Sequence, residues 1–181
     1  DVLLPPDDKP DGWDAADAIS EGFDATHIPS YGPESRGGTS YADVHVAETE
    51  VLNPGSPDPQ ILLAFNAPSL AKFGPAVRKG GYVIYDSSVV TEAPVLDPSI
   101  KVFPVPFTGI ATDLGKAVVK NIVALGALQA ATNIFPKDTF LAAIRTALKL
   151  ITGVNPPRPD FTVTRGLKGV KEGVLEVAGK L

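Results

Sequence analysis

Apolar residues along the chain repeat with two periods, and the two alternate. The opening DVLL, residues 1–4, is a short apolar run readable as a strand, followed by the breaker-rich PPDDKPDG. In WDAADAISEGF, Trp13, Ala16, Ile19 and Phe23 fall three and four apart, which lines one face of a helix that Gly22 helps to end. ATHI, residues 25–28, reads as a short strand. TSYADVHVA alternates, with Tyr41, Val44 and Val46 as its large apolar members, so it predicts a half-buried strand. After the turn-forming NPGSPDP comes QILLAF, whose unbroken apolar run suits a strand covered on both faces.

The second half continues the alternation. PSLAKFGPAV predicts a short helix starting at Pro68 or Ser69, with Ser69 as its cap. GGYVIYDSS predicts a buried strand and KVFPVPF another, which Pro104 confines to an edge or a strand end. TDLGKAVVKNIVALGALQAATNIFP reads as helix throughout, and PKDTFLAAIRTALKL as a second helix with Pro136 near its first turn. Strands alternating with helices predict an α/β fold: a Rossmann-like, doubly wound, mostly parallel sheet with flanking helices. Such sheets bind ligands beyond the carboxyl ends of their strands. Residues 1–149 are expected to form the domain. Residues 150–181, opening with a Pro-rich linker, form a C-terminal extension.

Composition narrows the function. The 181 residues are 44% hydrophobic and 20% charged, a globular balance, and the net charge of −5 argues against a protein that coats nucleic acid. No apolar run approaches the roughly eighteen residues that span a bilayer. The first ten residues lack the basic and apolar regions of a signal peptide, which makes a cytoplasmic address the expectation. Without Cys there is no thiolate for an iron–sulfur cluster. Without any Met, the sequence reads as trimmed or processed. His27 and His45 have no spacing for zinc, and no metal ligands are expected.

One loop stands apart. HIPSYGPESRGGTSY sets Glu34 and Arg36 among Pro, Ser and three glycines, directly after a predicted strand. Gly32, Gly37 and Gly38 permit positive φ and close approach of a ligand or neighbouring backbone. Arg36 offers a planar fork for phosphate or carboxylate, which Glu34 could orient. A tight turn with both charges merely solvated fits the residues equally well. Asp86, Ser87 and Ser88 end a predicted strand, where they either meet a ligand or cap the next turn. Asn66 and Ser69 carry the same two readings.

Taken in order, PSYGPESRGGTSYADV, LLAFNAPSLAKFGPAVRKGGYVIYDSS, VPFTGIATDLG and KNIVALGALQAATNIFP resemble the gamma subunit or domain of 2-oxoacid:ferredoxin oxidoreductases, from Ala15 to about Lys149. The loop is closest in style to the 2-oxoglutarate branch. The resemblance implies a complex that oxidatively decarboxylates a 2-oxoacid, most directly 2-oxoglutarate, to an acyl-CoA. Thiamine diphosphate and magnesium would sit between alpha and beta subunits. A ferredoxin-like subunit or domain would carry [4Fe-4S] clusters and pass electrons to ferredoxin or another acceptor. The gamma chain would bind none of these alone and carry no catalytic residue. It would contribute to the coenzyme A site and the subunit interface through Tyr31, Gly32, Glu34, Arg36, Gly37, Gly38 and Thr39, with Asn66 and Ser69 as further candidates. Neither nucleic acid nor membrane is implied as a partner. An assembly module without a role in coenzyme A binding is the alternative.

The resemblance breaks at residues 5–12. Family members carry a glycine-rich loop there, whereas this chain has Pro5, Pro6 and Pro10, which lack an N–H, and Asp7, Asp8 and Asp11, which would repel a phosphate. PPDDKPDGWDAADAI also resembles the acidic stretch that ends Toprim domains, a remote alternative in which Asp7 and Asp8 would bind magnesium for nucleic-acid chemistry.

Overall fold

The computed structural model describes residues 2–4, 22–30, 41–51, 55, 57–92, 94–115 and 119–152. Segment 5–12, the helix expected around Trp13, the loop from Tyr31 to Thr39 and the tail beyond residue 152 lie outside the described residues. Six strands form one sheet: β1 (Val2–Leu4), β2 (Asp24–Ser30), β3 (Tyr41–Ala47), β4 (Ile61–Ala64), β5 (Tyr82–Asp86) and β6 (Lys101–Val105), in the spatial order β2-β3-β1-β4-β5-β6. β1, β4, β5 and β6 run parallel, with Leu3 beside Leu62, Leu62 beside Val83, and Asp86 beside Val105. β3 is antiparallel to both β1 and β2. The α/β class and the helix-flanked parallel sheet agree with the sequence reading, and an antiparallel hairpin extends them.

β4 shows why the parallel part forms. Its four residues are all buried, Ile61 and Leu63 in one apolar cluster and Leu62 and Ala64 in another on the opposite face. A strand apolar on both faces is stable only when both are covered. Helix α1 (Ala67–Phe73) covers one face through Leu70. Helices α2 (Phe107–Asp113), α3 (Lys120–Thr132) and α4 (Lys137–Thr152) follow, and Phe107, Leu128, Phe140 and Ile144 of these fill the other face.

Three local expectations need correction. The helix of the PSLAKF segment begins at Ala67, and its cap is Asn66, not Ser69. Asn66 is extended (φ −153°, ψ 162°) and its side-chain oxygen accepts the Ser69 N–H at 2.8 Å, while Pro68 occupies the first turn, where a missing N–H costs nothing. The Thr112–Pro136 stretch is not one helix. α2 starts at Phe107, within the expected strand, and the chain turns at Gly115, whose φ of +74° cannot continue a right-handed helix. Tyr41 does not share a face with Val44 and Val46: it packs on the α1 side, they on the other. β3 is therefore covered on both faces at its start.

Both edge strands carry one proline and one charged residue, Asp24 and Pro29 in β2 and Lys101 and Pro104 in β6. Pro104 thus stands in an edge strand, as its missing N–H requires. Lys101 Nζ lies 4.7 Å from the Tyr82 ring centroid and 3.1 Å from its hydroxyl.

Candidate functional site

Because β3 opposes both of its neighbours, β2 runs in the same direction as β1 and the other parallel strands. Ser30 therefore ends at the same sheet edge as Leu4, Ala64, Asp86 and Val105. This is the carboxyl edge, where α/β sheets hold ligands. Ser30 and Tyr41 stand directly opposite each other and bracket the loop of Glu34 and Arg36. Tyr31, Gly32, Glu34, Arg36, Gly37, Gly38 and Thr39 lie outside the described residues, so the structure supplies the frame of the loop and not its side chains.

That frame is built from aromatic packing. The Tyr41 ring sits 5.0 Å from the Phe73 ring, tilted by 57°, a favoured arrangement for two quadrupoles. Lys72 Nζ lies 5.6 Å from the Tyr41 centroid and 5.0 Å from that of Phe73. Across the sheet Phe65 packs on Phe107 at 5.4 Å, with Lys120 Nζ 5.8 Å from the Phe65 ring. Neither lysine was picked out by the sequence reading. The available signal for Lys72 was Tyr41, which closes the glycine loop with the opposite parity to Val44.

Asp86 and Ser88 take the capping role, while the Ser87 N–H donates to the Val105 carbonyl of the next strand at 3.0 Å. Asp86 is wholly buried. The Ser88 N–H donates to its Oδ1 at 3.0 Å, and the Thr108 N–H and hydroxyl donate to its Oδ2 at 3.2 and 2.5 Å. Ser88 Oγ accepts the Gly109 N–H at 3.0 Å. α2, whose own cap residue Pro106 offers no side-chain oxygen, is thereby capped from β5, and the carboxylate also suits the positive end of that helix. Asn66 is likewise occupied with the start of α1, and Ser69 gives it a backbone N–H.

The histidines do not meet. His27 faces the side of β2 shared with Val44, whereas His45 stands opposite Thr26 on the other face. Among the described residues no group of three His, Cys, Asp or Glu side chains could hold a metal ion. Asp43, on the Tyr41 face, has its carboxyl pushed above the usual range by burial. On the far side of α1 a groove of about 360 Å³ is lined by Ala67, Leu70, Ala71, Val90, Val95 and Leu96. Thr91 and Glu92 also line it, and it holds none of the candidate site residues.

Residues 14–153 match the family model described as pyruvate ferredoxin/flavodoxin oxidoreductase. The chain is similar to 2-oxoglutarate synthase subunit KorC of Methanothermobacter thermautotrophicus, with 31% identity over 166 residues that cover 89% of this chain and 84% of that one. Its fold is similar to that of the gamma subunit of a keto/oxoacid ferredoxin oxidoreductase from Geobacter sulfurreducens, at a TM-score of 0.70, 25% identity and 88% of each chain. It is also similar to 2-oxoglutarate:ferredoxin oxidoreductase from Magnetococcus marinus, a structure with 2-oxoglutarate, coenzyme A and succinyl-CoA bound. There the TM-score is 0.71 at 20% identity, over 88% of this chain and 27% of that one, a likeness of fold.

Proposed function

Since the chain belongs to the pyruvate ferredoxin/flavodoxin oxidoreductase family, we propose that it is the gamma subunit of a complex that oxidises a 2-oxoacid to an acyl-CoA and reduces ferredoxin or a similar acceptor. Its substrate is 2-oxoglutarate. The likeness to the KorC subunit along nearly the whole of both chains carries this reading. The chain works in a cytoplasmic assembly with alpha and beta subunits and a cluster-bearing subunit. No helix of the described residues is long and apolar enough to cross a membrane.

The chain has no Cys to ligate an iron–sulfur cluster, so in this reading the clusters belong to a partner subunit. Thiamine diphosphate, when bound between the partner subunits, supplies the carbanion chemistry of decarboxylation. This chain contributes the loop from Tyr31 to Thr39 to the coenzyme A site and the subunit interface. Arg36 engages a coenzyme A phosphate through its planar fork, and Glu34 holds the fork in place.

Purification of the chain from its host with its partners, followed by 2-oxoacid-dependent dye reduction, tests the reading. Reduction that requires both 2-oxoglutarate and coenzyme A is the expected result. A complex that prefers pyruvate would keep the family role and overturn the substrate. A chain recovered without thiamine-binding and cluster-binding partners would overturn the role itself.

A further inference from the structure

We draw no further inference here: the strongest candidate, the groove of about 360 Å³ between α1 and the chain that follows β5, lined in part by the exposed Val89 and Val95, carries nothing because nothing in the structure shows what covers it.

Discussion

Asp86 and Thr108 are bonded twice across the carboxyl edge: backbone N–H and hydroxyl of Thr108 both reach one carboxylate oxygen of Asp86. The pair locks the end of β5 to the start of α2, and Ser88 adds a parallel bond to Gly109. A buried carboxylate with its hydrogen bonds satisfied is stable, and its removal strands the donors that it served. Asp86→Ala should therefore destabilise the chain by about 2–4 kcal/mol, the loss of charged hydrogen bonds plus orphaned donors. Asp86→Asn, which keeps a carbonyl oxygen, should cost less. Urea unfolding of both variants measures the difference, and equal stability of wild type and Asp86→Ala would refute the capping role.

Asn66 caps α1 through a single bond to the Ser69 N–H. Asn66→Ala should cost about 1 kcal/mol, and Asn66→Asp should keep most of the stability, since it retains the acceptor. Ser69→Ala should be nearly neutral for helix stability because only its backbone takes part. Thermal melts of the three variants would separate these outcomes, and a larger loss for Ser69→Ala than for Asn66→Ala would contradict the assignment.

Burial raises the Asp43 carboxyl above its ordinary value of 3.8, so the folded chain holds that proton more tightly than the unfolded one. The sign follows from linkage: stability from this group is present below the unfolded pKa and declines as pH rises through the folded pKa. Asp43→Asn should stabilise the chain at neutral pH and lose that advantage at pH values below the ordinary carboxylate range. Denaturant titrations at the two pH values decide it; a stabilisation that does not depend on pH would point to packing instead.

Arg36→Ala is expected to lower kcat/KM for coenzyme A by an amount equivalent to roughly 1–3 kcal/mol, with the 2-oxoacid KM little changed. Steady-state kinetics of the purified complex provide the check. Should the variant instead shed its partner subunits while surviving complexes use coenzyme A normally, the loop is an assembly contact only.

Much of the fold was legible because short-range rules govern it. The apolar run of Ile61–Ala64 announces a strand buried on both faces, and Pro104 announces an edge; both follow from what one residue can or cannot bond. The antiparallel hairpin was not legible, since nothing in ATHI or YADVHVA says which neighbour each will pair with. Nor was the start of α2, where Pro106 and Phe107 look like strand residues and the cap comes from Asp86, twenty-two positions earlier in sequence than Thr108. Glycine overruled composition at Gly115, where an Ala- and Leu-rich stretch promised one long helix. For the candidate site, the loop residues stood out by type alone. The packing of Tyr41, where the chain returns to the sheet, on Phe73 and Lys72 brings together two elements, β3 and α1, and sequence spacing does not encode that.

The two sheet margins, each marked by a proline and a charge, govern how this chain behaves at high concentration before any partner arrives. A bare strand edge is a template for a second copy, and repeated templating ends in fibres. Proline removes a donor from the template, and an ionised side chain such as Asp24 or Lys101 must be dehydrated for another strand to seat there. Replacing Pro104 and Lys101 with valines would leave the core untouched while making polymerisation through that margin the hazard in expression and storage.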